Sequence, residues 1–388
     1  MPEHSYLYSI PYLFVAFFLF LLYKQEKKRK SLGLSSKVPR NIAFIVMLIF
    51  IGLRGHLHTD FINYYPYFEW LPTLFDLDGQ SFTNFEYLYE PGFIIYTSLC
   101  KTLVDNYFVW VFINTLIDLI VFRHIFKRYS TSEILPFFFL LVFYGLTLEF
   151  NNYRNVKALD LFLLSIPFLL QKRFMPYLLL NLLGMSFHVS SIFYIFLYPF
   201  LNRKLPIALI GLIIAAVNVL YLCNIHLTSN LIDFLAGIFG DGITSMDKLS
   251  NYGDSGDAYK FSFGYFERTF SVVLCTLLYS RLIRKNSENI WICNCMILYY
   301  VTHLFFSDVQ VFAERIPLLF VFAYWLIYTN IFSLNFKYRP LVVVFILLLS
   351  VLKITLGCAT VTNYYDNVIW GIMDYNEREI YVNSTVNN

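Results

Sequence analysis

Charge is scarce in this chain, and that scarcity decides the class of protein. Only 14% of the 388 residues are charged, whereas soluble domains carry about 25%. Hydrophobic residues make up 58%, and no polar stretch is long enough to bury a core of its own. A formal net charge of +3 is too small to indicate nucleic-acid binding. Composition therefore predicts an all-α, polytopic transmembrane helical bundle.

Cysteine is also scarce, and its placement excludes two kinds of stabilisation. The six cysteines fall mostly in apolar segments, and none is spaced with histidines as a metal site would require. They are best interpreted as small buried residues rather than as a disulfide framework. No glycine-rich nucleotide-binding loop is present. We therefore expect no cofactor.

Basic clusters predict the topology of the chain. An apolar run at about 7–23 is followed by the block KQEKKRK, which the positive-inside rule places in the cytoplasm. Later basic clusters take the same side, so the chain must visit the outside near 54, 154, 188 and 315. Strict alternation of spans would instead put residue 154 in the cytoplasm.

This topology predicts about 10–12 membrane segments, some of them broken or re-entrant. Segment 175–200 should be two short helices that turn near Ser186 and His188, because both of its ends are basic. Segment 91–104 should be re-entrant or shallow. Broken helices are tolerated where they line a protein cavity.

The whole of 1–357 is expected to be one transmembrane helical domain. Its extracytoplasmic loops should lie at about 54–90 and 224–265, the second with amphipathic helices near 231–239. A polar tail at 358–388 should also lie outside.

Three arginines lie where apolar segments begin or end. Arg54 follows one such segment, whereas Arg154 and Arg315 open others. A guanidinium offers a bidentate fork to phosphate oxygens, so Arg54 is a candidate phosphate ligand. Two alternatives stay open: Arg54 could anchor the helix end at the interface, and Arg315 could pair with Glu314.

The segment FNNYRNVKALD around Arg154 carries the strongest polar pattern. Asn151, Arg154, Lys157 and Asp160 recur at about helical spacing. A polar stripe facing lipid would be costly, so this face should point into the bundle.

Three residues are candidates for a general base. His188 lies in the middle of a long apolar run, and a histidine titrates near neutral pH. Glu90 and Asp60 are the carboxylate candidates. Glu90 precedes Pro91 and could instead cap a helix, while Asp60 could be a surface carboxylate. The series His56-x-His58-x-Asp60 could ligate a metal, but its spacing is loose and we predict no metal site.

These motifs together resemble a known family. In order they are LRGxxxTDFxNYYxxF, YEPGF, NNYRNVKALDLFLLSIPFLLQKR, FHVSSIFYIF and AERIPLLF. This order is similar to that of the EpsG-like, Wzy-type bacterial polysaccharide polymerases, over roughly 42–332. One departure is Asn155, which follows Arg154 where the family often has glutamine.

The resemblance implies a GT-C-like glycosyltransferase of the bacterial inner membrane. Such enzymes join oligosaccharide repeat units carried on undecaprenyl diphosphate at the extracytoplasmic face. The diphosphate would be bound by Arg54, Arg154 and Arg315, with His188, Glu90 and Asp60 as catalytic candidates. Expected partners are the lipid-linked oligosaccharide, the bilayer and a chain-length regulator protein.

Two alternatives remain. Another enzyme that uses lipid-linked sugars, such as an O-antigen ligase, would have a similar donor site. A flippase or exporter of the lipid-linked unit should instead show charge at the bilayer midplane and pseudo-symmetric halves. The charges of this chain lie near segment ends and no internal repeat is apparent, which favours an enzyme.

Overall fold

A computed structural model describes residues 1–83, 89–225, 227–230 and 261–386. These residues are mostly helical and form no β-strand, only isolated bridges such as that between Arg54 and Asn367. The predicted all-α polytopic bundle is confirmed. The amphipathic helices expected near 231–239 lie outside the described residues.

Seventeen α-helices are formed by the described residues, numbered in chain order. They are α1 Ile10–Ser31, α2 Lys37–Gly52, α3 Phe61–Trp70, α4 Pro91–Leu103, α5 Tyr107–Tyr129, α6 Leu135–Val142, α7 Gly145–Asn151, α8 Tyr153–Leu170, α9 Phe174–Met185, α10 Ile192–Leu201, α11 Ile207–Leu222, α12 Phe263–Lys285, α13 Asn289–Phe305, α14 Gln310–Arg315, α15 Phe322–Phe332, α16 Arg339–Gly357 and α17 Tyr375–Val386.

Three helical segments are long and apolar enough to cross a membrane: Tyr6–Ser31, Tyr107–Tyr129 and Arg339–Gly357. A fourth candidate span is a bent pair, Phe312–Phe320 with Phe322–Phe332, whose axes differ by 45°. Several other apolar helices of the described residues are shorter than the roughly 20 residues that a straight span needs. The segments predicted from sequence are thus largely short or broken helices.

The expected break in segment 175–200 is present. α9 ends at Met185, a single 3₁₀ turn follows at Val189–Ser191, and α10 begins at Ile192. α4 is only 13 residues long, as a shallow or re-entrant segment would be. Both irregular features border candidate catalytic residues, His188 at the break and Glu90 at the start of α4.

The chain divides into two compact units, residues 1–198 with 328–388 and residues 199–327. In the first unit α1 packs on α2, α6 and α16, while α5 contacts α2, α4 and α8. α8 packs on α9. In the second unit α11, α12 and α13 pack together, and Asn218 accepts hydrogen bonds from Tyr265 (2.7 Å) and Tyr300 (3.0 Å).

The C-terminal tail folds back onto the first unit. The backbone N–H of Val368 donates to the carbonyl of Leu53 at 2.8 Å, at the end of α2. The guanidinium Nε of Arg378 donates to the carbonyl of His56 at 2.6 Å, and Arg378 is fully buried. The tail is therefore a packed part of this unit, and its extracytoplasmic position stays a prediction.

Candidate functional site

Glu90 stands where the chain enters α4. Its backbone is extended, and Pro91 takes the first helical position, where its missing N–H costs nothing. The carboxylate makes no capping hydrogen bond to the helix. The side chain of Glu90 therefore does not cap α4, and its carboxylate is available for other contacts.

The carboxylate of Glu90 pairs with Arg154. Arg154 is the second residue of α8, and its Nη1 donates to Glu90 Oε2 at 2.6 Å. The guanidinium also lies over the ring of Tyr89, with 4.5 Å from Cζ to the ring centroid. The two charged side chains remain 20% and 17% exposed, so the pair is sheltered but still reachable by a ligand.

His188 completes the cluster from the helix break. Its Nδ1 lies 3.1 Å from Glu90 Oε1, and the backbone N–H of Val189 donates to the same oxygen at 3.2 Å. Burial alone would raise the pKa of Glu90. The approach of His188 to 3.1 Å and the positive charge of Arg154 outweigh it and lower that pKa to about 2. Glu90 is thus ionised at neutral pH.

Gly92 allows α4 to approach the break this closely. Its backbone N–H donates to the carbonyl of Ser186 at 2.8 Å. A Cβ at residue 92 would lie 2.7 Å from that carbonyl oxygen and 2.2 Å from the Ser186 hydroxyl. The motif EPG therefore specifies both the helix start and the contact that brings Glu90 to His188.

Asn155 does not serve as the partner of Arg154. Its side chain accepts a hydrogen bond from Ser190 at 3.1 Å and so ties α8 to the same break. Nη1 of Arg154 is used by Glu90, whereas Nε of Arg154 has no hydrogen-bond acceptor within the described part of the chain. Because Nε is buried, a ligand would reach this guanidinium only through the 20% of the side chain that is exposed.

Arg54 is placed very differently from Arg154. It is 2% exposed, and its guanidinium donates to the carbonyl of Ile51 at 2.6 Å, the carbonyl of Glu149 at 2.5 Å and the hydroxyl of Tyr153 at 2.6 Å. Tyr153 directly precedes Arg154 in α8. Arg54 therefore fixes the end of α2 against the start of α8.

Asp60 lies at the entry to α3, half-buried, on a loop held by Asn151. The side-chain oxygen of Asn151 accepts from the backbone N–H of Asp60 at 3.2 Å, and its amide nitrogen lies 2.7 Å from His58 Nδ1. Tyr64, one turn into α3, interacts with both Arg154 and Asp60.

His56 of this loop is buried and His58 is half-buried, and both are neutral. Burial and the positive charge of Arg378 lower the pKa of His56 to about 4, while burial and Arg54 do the same for His58. Within the described ranges, no three histidine, cysteine or acidic side chains are arranged to hold a metal ion.

Arg315 belongs to the second unit. It is the last residue of α14 and is exposed. Glu90, Arg154 and His188 all belong to the first unit, and the structure brings these three side chains together.

Tyr89 was not singled out from the sequence. Its ring lies against the guanidinium of Arg154. The same ring contacts Tyr64 and Tyr67, with 5.9 and 4.4 Å between ring centroids. Its only sequence signal is its place directly before the EPG motif, in a chain where one residue in five is aromatic.

The model of the EpsG family matches residues 37–369, which is most of the chain and includes every candidate site residue. The chain belongs to the EpsG family. No curated protein and no solved structure matches it. Family membership associates this membrane protein with polysaccharide biosynthesis and with glycosyltransferase-like polymerases.

Proposed function

We propose that this protein is a polysaccharide polymerase that joins oligosaccharide repeat units carried on undecaprenyl diphosphate, at the extracytoplasmic face of the inner membrane. The observation that carries the proposal is the placement of Glu90 between Arg154 and His188. One cation, one base candidate and one orienting carboxylate meet at a helix break, where their side chains remain 14–20% exposed.

Arg154 is the proposed ligand of the donor diphosphate. A lipid diphosphate is anionic at neutral pH and needs positive charge, rather than a general acid, as its bond to the sugar breaks. Arg154 supplies that charge from a fixed position, because Glu90 and Tyr89 hold its guanidinium. Arg315 is a second proposed ligand, whereas the buried contacts of Arg54 suit a positioning role.

His188 is the proposed general base. Both oxygens of Glu90 already accept hydrogen bonds, from Arg154 and from the backbone N–H of Val189, which argues against Glu90 in that role. Glu90 instead faces His188 Nδ1, and a carboxylate there favours the tautomer in which Nε2 is the free acceptor. Asp60 remains the second candidate for the base.

The proposed step balances with these groups alone. The acceptor sugar hydroxyl attacks the anomeric carbon of the donor and loses its proton to His188. The bond between that carbon and the diphosphate oxygen breaks, and its electron pair leaves with undecaprenyl diphosphate. One glycosidic bond forms and one sugar–phosphate bond breaks.

Glycan length tests the proposal. A deletion strain should accumulate a single lipid-linked repeat unit, whereas the wild-type gene restores a ladder of polymer. The Arg154→Ala gene should not restore it, although the protein reaches the membrane in normal amount. A ladder in the deletion strain would overturn the proposal. Single units found only on the cytoplasmic side in that strain would indicate a flippase instead.

A further inference from the structure

A second group of charged residues lies deeper along α8, below the Glu90–Arg154 pair. We define the buried carboxyl cluster as Asp118 of α5, Glu149 of α7 and Lys157 and Asp160 of α8. Each of these side chains is at most 5% exposed. The proposed glycosyl-transfer step uses none of them.

Only part of this cluster is paired. The ammonium of Lys157 donates to Asp118 Oδ1 and, at 3.1 Å, to the backbone carbonyl of Asn114. The neighbouring cation, Arg54, donates to the backbone carbonyl of Glu149 rather than to its carboxylate. Lys157 and Arg54 are thus the two cations that the described residues place in this region, and both are committed.

Four acceptor oxygens of the region have no donor among the described residues. They are both carboxylate oxygens of Asp160, Oε1 of Glu149 and the side-chain oxygen of Asn114. Asp160 is 4% exposed, and its carboxyl group faces that of Asp118. An ionised carboxylate that is buried without a partner is strongly disfavoured, and two carboxylates that share one buried site cannot both be ionised.

The charge count leaves a deficit of one. The cluster holds three carboxyl groups, whereas Lys157 and Arg54 supply two positive charges. The other ionisable groups that reach it, Tyr96 and Cys100 of α4 and Tyr153 of α8, carry no charge. The neighbouring helix α9, which packs on α8, contains no charged residue. One more positive charge is required for neutrality.

We propose that the buried carboxyl cluster is a proton-binding site that holds one proton, shared between Asp160 and Asp118. A proton supplies the missing charge and also a donor for one of the acceptor oxygens. A metal ion fits less well, because the described residues offer no set of three suitable side chains in ligating positions.

The site lies between the helices that carry the catalytic candidates. Lys157 Nζ is 5.7 Å from the ring centroid of Tyr96, which is six residues along α4 from Glu90. Asp160 is likewise six residues along α8 from Arg154, or about 9 Å at 1.5 Å per residue. The bound proton therefore neutralises the charge that is buried between α4, α5, α7 and α8, next to the Glu90–Arg154 pair.

Infrared spectroscopy of the purified full-length protein in lipid tests this proposal without an activity assay. A protonated carboxyl group has a carbonyl stretch separate from the amide bands, and the stretch shifts in deuterium oxide. At neutral pH the wild-type protein should show this band. Absence of the band from the wild-type spectrum would overturn the proposal. A rise in thermal stability on addition of Na⁺ would then indicate that a metal cation, rather than a proton, supplies the missing charge.

Variants then test the charge count. Asp160→Asn should remove the band, and so should Asp118→Asn, because two carboxylates would then face two cations. Lys157→Gln removes one cation, so neutrality would require a second proton. The area of the band should therefore roughly double in this variant. A band that survives both Asp160→Asn and Asp118→Asn would contradict the assignment.

The matched control is Asp366→Asn. Asp366 is another carboxyl of the first unit whose pKa burial raises, but it contacts the loop at Gly55 and lies outside the cluster. The band should keep its area in this variant. A band that disappears with Asp366→Asn would assign the proton to Asp366 and overturn the proposal.

Discussion

Glu90 Oε2 and Arg154 Nη1 lie 2.6 Å apart although 64 residues separate them in the chain. The pair joins the starts of two helices, α4 and α8, and His188 approaches the same carboxylate from a third segment. Because all three side chains lie at helix starts or at a helix break, small backbone changes there should alter the site without unfolding the bundle.

Arg154→Lys should leave a folded protein with poor polymerisation. Lysine keeps the positive charge but loses the planar fork that can bind Glu90 and a phosphate together. A hydrogen bond to a charged group contributes about 1.5–3 kcal/mol, so the rate should fall roughly 10- to 100-fold. Initial polymer formation measures the effect. Arg173→Lys, at an exposed arginine, is the control, and equal activity of both variants would remove the proposed role of Arg154.

Gly92→Ala should impair activity through geometry alone. The added Cβ would lie 2.7 Å from the carbonyl oxygen of Ser186, so α4 and the break must move apart. Glu90 would then lose its contact with His188. Gly211→Ala is the matched control, because a Cβ there meets nothing within 4 Å. Polymer of wild-type amount from the Gly92→Ala protein would show that this close approach is not required.

Several parts of this site were predictable from the sequence, and others were not. The helix break at residues 186–188 followed from the basic residues at both ends of segment 175–200, which is a local pattern. The pairing of Glu90 with Arg154 did not follow, because a contact across 64 residues depends on how α4, α5 and α8 pack. Arg54 and Arg154 both lie at the end of an apolar segment in the sequence, yet the fold buries Arg54 and leaves Arg154 20% exposed.

Arg54→Ala should therefore lower stability, whereas loss of Arg154 should lower activity. Removing Arg54 leaves the carbonyls of Ile51 and Glu149 and the hydroxyl of Tyr153 without their donor. Each buried group left unsatisfied costs about 1–3 kcal/mol. Thermal unfolding in detergent should show a lowered Tm for Arg54→Ala and a Tm near wild type for Arg154→Lys. The reverse order would favour Arg54 as a substrate ligand.

The proposed topology predicts opposite labelling at two exposed positions. Val189, beside His188, is 58% exposed, and Leu34, in the first basic loop, is 53% exposed. Of the native cysteines, only Cys223 is exposed, so the Cys223→Ser protein provides a background without an exposed thiol. A membrane-impermeant thiol reagent is applied to cells whose inner membrane is intact and whose outer envelope is permeable to it. The reagent should label the Val189→Cys protein in these cells, but the Leu34→Cys protein only after the cells are lysed. Labelling of Val189→Cys from the cytoplasmic side alone would place the site on the wrong face for the proposed reaction.

His188→Ala should abolish chain growth while donor binding persists, because the proposed donor ligands are the arginines. Loss of a general base typically costs roughly 10²- to 10⁴-fold in rate. Glu90→Gln should have a smaller effect, since an amide can still face Nδ1 while His188 keeps its acceptor nitrogen. Rate and equilibrium binding of the lipid-linked donor are measured on the same preparations, with the exposed His124→Ala as control. If His188→Ala makes polymer of normal amount and length, the histidine is structural, and the base must be sought among the carboxylates, with Asp60 first.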